Sequence, residues 1–142
     1  MANSHDVLIS KIISESFIND VLIIKFFSEL YTNTKIADLK FSEITIEKIL
    51  KEKKIIGFVD VYIEFNFKAD KIFKTACMVV EAKTQTEFND TGQIIRQIKR
   101  YKDYFENVNE CESYYFVVAD SIPELSKRLF EKENIRFIEL NE

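Results

Sequence analysis

The first thirty residues carry apolar side chains at the spacing of one helical face. The pattern runs from about residue 6 to residue 31 and predicts a long helix with a break near Asn19. Residues 34–54 follow no clear period until their last part, ITIEKILKEKK at residues 44–54, which predicts a short helix ending at its lysines. The apolar positions of the long helix are Leu8, Ile12, Phe17, Leu22, Phe26 and Leu30.

The middle of the chain is rich in β-branched and aromatic residues, which favour strands. Residues 55–67 and residues 72–84 each predict a strand, and the polar segment KADK at residues 68–71 predicts a turn between them. These residues therefore predict an antiparallel hairpin.

The last third of the chain alternates between helical and strand patterns. A loop is predicted at residues 86–92 and an amphipathic helix at residues 92–106, before a strand at 113–119, a helix at 122–133 and a strand at 135–140. A strand–helix–strand order predicts a right-handed parallel crossover. The whole pattern indicates an α/β fold with a mixed central sheet flanked by helices.

The length of 142 residues fits one domain, residues 1–142, with a core of its own. No apolar run reaches the roughly 18 residues that span a bilayer. The first ten residues lack the basic region of a signal peptide, so we predict a cytoplasmic protein with no membrane contact.

Cysteine and histidine usage excludes several kinds of site. Cys77 and Cys111 are far apart and have no CxxC spacing, which favours free thiols over a disulfide or a zinc site. The single histidine, His5, lies near the start of the chain, which argues against histidine-based triads and HExxH zinc sites.

The net charge of −4 excludes a uniformly basic nucleic-acid-binding protein. Binding to a phosphate backbone would need a metal or a local basic patch. Three such patches occur, and a solvated surface is the alternative interpretation of each. They are KEKK at residues 51–54, the lysines Lys68, Lys71 and Lys74, and RQIKRYK at residues 96–102.

Charged residues interrupt both strands of the predicted hairpin. Asp60 lies within the first strand, and Glu81 and Lys83 lie on the second, where a period of two puts them on the same face. Burying charges in a strand is costly, so their coincidence predicts a site for a divalent metal and a phosphate. Carboxylate oxygens suit Mg²⁺ or Mn²⁺. The alternative is a structural cluster of ion pairs.

Polar residues also line one side of the predicted helix at 92–106. Gln97 and Tyr101 are one turn apart, and Gln93 extends their stripe by another turn. Arg96 and Arg100 are candidates for contacts with a nucleic-acid backbone, and Gln93 and Tyr101 are further candidate nucleic-acid-binding residues. For Tyr101 an ordinary core aromatic is an equally good interpretation.

The order Asp60, then Glu81-x-Lys83, then Gln97-x-x-x-Tyr101 on the next helix resembles the PD-(D/E)XK phosphodiesterase superfamily. Within it, the chain resembles the branch with a QxxxY motif, which includes RecB-like nucleases and type I restriction-enzyme nuclease domains.

The resemblance covers about residues 10–140 and implies the restriction-endonuclease-like αβββαβ core. Its third core strand would come from residues 113–119, with a further strand or edge turn near 135–140. Val59 stands where the superfamily name has proline, a position that members often vary.

The resemblance also implies roles for single residues. Asp60, Glu81 and the carbonyl of Ala82 would bind Mg²⁺ or Mn²⁺. Lys83 would orient or deprotonate the attacking water, and Gln97 would support the site or a phosphate. Tyr101 would pack behind Gln97.

Many superfamily members complete the metal site with a glutamate from the first helix, and Glu15 is the candidate in this chain. The alternative for Glu15 is a polar position on an amphipathic helix. By the same analogy we expect a homodimer or a subunit of a larger complex.

The leading hypothesis is a metal-dependent nuclease that hydrolyses DNA. A non-catalytic binding module on a nuclease-like scaffold is the second hypothesis. Cleavage of RNA or of a nucleotide by the same chemistry is the third, because the sequence does not separate ribose from deoxyribose substrates.

Overall fold

Five strands form one sheet in the order β1-β2-β3-β4-β5, so sequence order and spatial order coincide. The computed structural model describes residues 4–51, 53–108 and 111–140. The strands are β1 (Ile36–Lys51), β2 (Ile55–Ala69), β3 (Ile72–Ala82), β4 (Glu112–Ala119) and β5 (Arg136–Glu139). The helices are α1 (Ser4–Ile12), α2 (Glu15–Phe17), α3 (Ile23–Leu30), α4 (Thr91–Val108) and α5 (Glu124–Lys132), with a π-helical turn at Ile18–Leu22 and a 3₁₀ helix at Gln85–Asp90.

The sheet is mixed. Strands β1, β2 and β3 pair antiparallel, whereas β3 pairs parallel with β4 and β4 pairs parallel with β5. One face packs against α1–α3 and the other against α4 and α5. The predicted α/β fold with a mixed, helix-flanked sheet is therefore confirmed, as is the parallel pairing of the last two strands.

The N-terminal helix is interrupted where the sequence predicts it. A π-helical turn covers Ile18–Leu22 and so includes Asn19. A second interruption precedes it at Ser14, whose hydroxyl accepts a hydrogen bond of 3.3 Å from the amide of Phe17 and caps α2.

The short helix predicted at residues 44–54 is wrong, because this segment belongs to β1 up to Lys51; Glu52 lies outside the described residues. Ile44 pairs with Ile63, and Thr45 pairs with Tyr62. Pairing with a distant strand has overridden a local helical pattern, as tertiary context often does.

This strand also changes how the αβββαβ core is assembled. Its three successive strands are β1, β2 and β3, and residues 113–119 supply the strand that follows α4 rather than the third core strand. Helix α5 and strand β5 then extend the core.

The predicted hairpin is confirmed in β2 and β3, with a tighter turn than expected. Asp70 and Lys71 make the turn with φ of 56° and 120°. The loop predicted at 86–92 is largely the 3₁₀ helix, whose start is stabilised by reciprocal hydrogen bonds between Thr84 and Glu87.

An aromatic cluster holds the N-terminal helices on the sheet. Phe26 is fully buried, and its ring centroid lies 5.1 Å from that of Phe65 and 4.9 Å from that of Tyr114, both edge-to-face. This packing fixes α3 against β2 and β4.

Both cysteines are free thiols, as predicted. Within the described residues, no helix is long and apolar enough to span a membrane.

Candidate active site

The site lies at the point where β2 separates from β3. Regular pairing of β2 with β3 ends at Val61 opposite Val80. Strand β3 stays beside β4 beyond this point, because the amide of Lys83 donates a hydrogen bond of 3.0 Å to the carbonyl of Val118. A fork therefore opens between β2 and β3 at the end of β3.

Two carboxylates take the place of the missing strand pairing. The amide of Asp60 donates a hydrogen bond of 3.3 Å to Oε1 of Glu81, and the amide of Ala82 donates one of 2.9 Å to Oδ2 of Asp60. These bonds satisfy the backbone donors at the fork and hold each acid against the opposite strand.

An irregularity in β2 aims Asp60 into the fork. Val61 and Val59 would share a face in a regular strand, yet Val61 packs in the α1–α3 layer and Val59 in the α4–α5 layer. On the neighbouring strand, Glu47 has a left-handed φ of 52° near the same level. The pairing of Ile46 with Val61 and of Lys48 with Val59 keeps one register, so the irregularity is a local turn of the backbone with no inserted residue.

Lys83 is buried among three acceptors. Its side chain and that of Glu81 are almost fully buried, with the two residues 7% and 1% exposed. The Lys83 ammonium lies 2.9 Å from Oε1 of Gln97, 3.3 Å from Oε2 of Glu87 and 3.5 Å from Oε2 of Glu81. An ammonium has three donors, so these contacts match its full capacity and define its position.

The Gln97–Tyr101 pair connects Lys83 to the backbone of β2. The amide nitrogen of Gln97 donates 2.7 Å to the Tyr101 hydroxyl, which in turn donates 2.7 Å to the carbonyl of Phe58. Gly57 allows this approach, because a Cβ there would lie 3.2 Å from Cε1 of Tyr101. The pair therefore orients the oxygen of Gln97 towards Lys83.

The electrostatics of the fork favour an added cation. Burial raises the pKa of Glu81 well above its usual range, the charge of Asp60 raises it further, and Lys83 offsets part of the rise. Burial also raises the pKa of Tyr101, as does the charge of Glu81, so its hydroxyl stays protonated and can donate. A divalent cation between the acids would relieve the repulsion between them.

Residues that could hold such a cation are few. The described part of the chain contains no group of three or more histidine, cysteine, aspartate or glutamate side chains placed to bind a metal ion. The candidate donors are the carboxylates of Asp60 and Glu81 and the carbonyl of Ala82. Two acids with a main-chain carbonyl form an all-oxygen set that fits Mg²⁺ or Mn²⁺, with water completing the coordination.

The surface reaches Lys83 through two pockets. One, of about 250 Å³, is lined by residues that include Lys83, Gln93 and Gln97. The other, of about 240 Å³, adjoins Lys83 on the side of Leu8 and Asp120. The ammonium is therefore buried but adjacent to space that a ligand could enter.

The structure brings together five of the residues singled out from the sequence, namely Asp60, Glu81, Lys83, Gln97 and Tyr101. Because Tyr101 is only 1% exposed, it contacts the site from behind, and its predicted contact with nucleic acid would have to be indirect.

The other predicted nucleic-acid contacts lie on the exposed side of α4. Gln93, Arg96 and Arg100 are all exposed. Arg96 donates 3.0 Å to Oε1 of Gln93 and lies 3.7 Å from Asp90. In this structure its guanidinium therefore already has anionic and polar partners.

Glu15 is exposed at the start of α2, and the first helix contributes a different residue to the site. Nε2 of His5 lies 3.2 Å from Oδ2 of Asp60. The sequence gives no signal for this contact, because His5 lies near the start of the chain, far in sequence from Asp60.

Glu87 is a second residue of the site that is not among those predicted from the sequence. It contacts Lys83 and also closes the capping box with Thr84. The T-x-x-E pattern at residues 84–87 was the available signal.

No family model matches this chain. No curated protein matches it either. Two solved structures are similar to it. A repair endonuclease from Pyrococcus abyssi shares 23% identity over 89% of this chain and 46% of that chain, with a TM-score of 0.44. EndoMS in its apo form shares 18% identity over 91% of this chain and 47% of that chain, with a TM-score of 0.38. The chain thus spans about half the length of either protein, and likeness at this level carries no functional argument.

Proposed function

We propose that this chain is a Mg²⁺- or Mn²⁺-dependent nuclease that hydrolyses phosphodiester bonds in DNA. The observation that carries the proposal is the meeting of the partly buried Asp60 with the buried Glu81 and Lys83 at a strand fork, with each charged group held by hydrogen bonds. Placing three charged groups side by side, two of them buried, is costly, and the pKa of Glu81 is raised first by burial and then by the charge of Asp60.

The acids would hold the metal, and the lysine would act on the substrate. A metal bound by Asp60, Glu81 and the Ala82 carbonyl would supply Lewis acidity and a bound water of lowered pKa. Lys83 presents a positive charge beside these acids, where it can orient the attacking water and offset charge that develops on the phosphate.

The residues around Lys83 keep its ammonium in place. Gln97 and Glu87 bind it directly, and Tyr101 fixes Gln97 from behind. This support favours placing the chain in the QxxxY-containing branch of the PD-(D/E)XK superfamily. We further propose that His5 steadies Asp60 from the helical layer.

Assembly as a homodimer or within a larger complex remains part of the proposal. DNA is the substrate we propose, and RNA or a nucleotide would be cut by the same chemistry.

The proposal is tested by incubating the protein with linear, circular, single-stranded and branched DNA in Mn²⁺ or Mg²⁺, with EDTA as a control. We expect metal-dependent cutting that Asp60→Asn abolishes. Asp38→Asn is the matched control, because Asp38 is exposed on β1 and its left-handed φ of 56° suits asparagine. Failure of the wild-type protein to cut any DNA or RNA, with no binding of Mn²⁺, would favour the non-catalytic module.

A further inference from the structure

Beyond the fork, β1 and β2 continue as a two-stranded arm. We define the arm as residues 46–51 and 53–59. Within it, Lys48 pairs with Val59, Ile49 with Phe58 and Leu50 with Gly57. Because the pairing of β2 with β3 ends at Val61, no third strand among the described residues pairs with this part of the hairpin.

The two faces of the arm differ sharply. One face packs on the α4–α5 layer through Leu50 and Val59, both fully buried. The other face carries Ile49 and Phe58, a cross-strand pair that is 53% and 50% exposed. Ile46 and Ile55 are exposed as well. A cross-strand pair of exposed aromatic and aliphatic side chains is a candidate binding surface.

The tip of the arm is basic. Lys51, Lys53 and Lys54 are exposed, and none of them forms an ion pair within the part of the chain that the structure describes. By contrast, the ammonium of Lys48 at the base of the arm forms an ion pair of 2.6 Å with Oε2 of Glu43. Three lysines close together attract an anionic partner.

The apolar face runs directly to the candidate active site. Phe58 is two residues before Asp60, and its carbonyl is the acceptor of the Tyr101 hydroxyl. The backbone under the exposed Phe58 ring is therefore held by the same hydrogen bonds that orient Gln97 towards Lys83. A ligand on the arm would continue into the fork.

We propose that the arm binds a nucleic-acid strand with unpaired bases next to the bond to be cut. The lysines would contact phosphates, and an unstacked base would stack on Phe58 beside Ile49. An intact duplex keeps its bases stacked inside and shows mostly phosphate and groove edges, so the apolar face fits unpaired nucleotides better. The inference deepens the proposed function and rests on it, since the bond to be cut would lie at Asp60.

The test is binding in EDTA, where no metal-dependent cutting occurs. Fluorescence anisotropy compares a labelled single strand with a duplex of the same sequence. We expect Phe58→Ala to weaken single-strand binding about tenfold, the loss of one stacking contact, and to change duplex binding little. Lys53→Gln with Lys54→Gln should weaken both and lower the slope of log K against log salt by about 1.4 for the single strand.

The turn between β2 and β3, called the far hairpin below, offers a matched control because it also carries an exposed phenylalanine near a lysine. Phe73 is 73% exposed beside the β2–β3 turn, and Lys71 lies in that turn. Phe73→Ala with Lys71→Gln should leave single-strand binding unchanged. Ile49→Thr is a second arm variant, which guards against a folding defect peculiar to Phe58→Ala.

Three outcomes would overturn the inference. The first is unchanged single-strand binding in both apolar arm variants. The second is an equal loss in the far-hairpin control. The third is a wild-type dimer that sediments as a monomer after Phe58→Ala with binding intact, which would assign the arm to a second copy of this chain.

The experiments distinguish an error in the proposed role of the arm from an error in the proposed nuclease function. If the wild type cuts DNA and the arm variants bind single strands normally, the proposed role of the arm is wrong and the proposed nuclease activity is supported. If the arm variants lose single-strand binding but the wild type cuts nothing, the arm still binds nucleic acid and the catalytic proposal fails.

Discussion

Replacing Tyr101 with phenylalanine tests whether the hydrogen bonds behind Lys83 hold the site together. The substitution removes one oxygen and keeps the ring, which is buried against Gly57. That oxygen accepts from Gln97 and donates to the carbonyl of Phe58, both at 2.7 Å. Tyr101→Phe therefore leaves two polar groups without this partner.

The expected magnitude follows from those two bonds. A neutral hydrogen bond contributes a net of about 0.5–1.5 kcal/mol to stability, and a buried group left without a partner costs about 1–3 kcal/mol. We therefore expect Tyr101→Phe to lower the free energy of unfolding by about 2 kcal/mol, or roughly 30-fold in the folding equilibrium.

Urea unfolding measures this loss as a lower midpoint with an unchanged m-value. Tyr115→Phe is the matched control, because the buried Tyr115 hydroxyl has no hydrogen-bond partner within the described residues. Because that hydroxyl is buried without a partner, removing it should leave the free energy of unfolding unchanged or raise it by about 1 kcal/mol. Equal losses in the two variants would refute the assignment of Tyr101 as a structural support of the site.

Three further predictions address the charges, a thiol and a glycine. Asp60→Asn removes a partly buried negative charge beside the buried Glu81, so in EDTA it should raise the free energy of unfolding by about 1 kcal/mol, and Mn²⁺ should no longer stabilise the variant. A loss of stability in urea unfolding would contradict this. Burial and then the neighbouring Cys77 raise the pKa of Cys111 to about 12, which favours the unreactive thiol. At pH 8 only about one Cys111 side chain in 10⁴ should be thiolate, so the rate of iodoacetamide labelling, followed by mass spectrometry, should be low and should increase with pH up to that pKa. Labelling as fast as in a free-cysteine peptide would disprove the raised pKa. Gly57→Ala should lower stability by about 1 kcal/mol and should also lower cutting, since its Cβ would press on the fixed ring of Tyr101. At Gly92 a Cβ would meet the flexible end of Arg96 at 3.2 Å and Asp90 at an ordinary contact distance of 3.5 Å, so Gly92→Ala should be neutral or stabilising in thermal melts.

Local sequence pattern was enough for the hairpin but not for the strand beside it. In β2 and β3 the β-branched and aromatic runs agree with the final structure, so local and global preferences coincide. In β1, the stretch around Glu47 and Lys48 has charges at helical spacing, and its strand conformation depends on pairing with β2. That pairing is non-local, so no window of the sequence contains it.

Much of the candidate site was predictable because its residues lie on regular elements. The period of two aligned Glu81 with Lys83, and the turn of α4 aligned Gln97 with Tyr101. These alignments need only the correct element type.

The contribution of the first helix could not be predicted in the same way. His5 reaches Asp60 only because α1 packs across β2 and β3, which is a tertiary contact. Glu15 starts a separate short helix after the break at Ser14 and is exposed there, and the apolar pattern does not reveal that break.

The most direct test of the nuclease proposal is the rate at which Lys83→Met cuts DNA in saturating Mn²⁺. Methionine keeps much of the buried volume and removes the charge, and a melting curve checks that the variant is folded. We expect Mn²⁺ binding to be retained and the cutting rate to fall at least about 100-fold, while Lys74→Met, at a half-exposed position on the same strand, cuts normally. Cutting by folded Lys83→Met within a few-fold of the wild-type rate would contradict the proposed role of the fork.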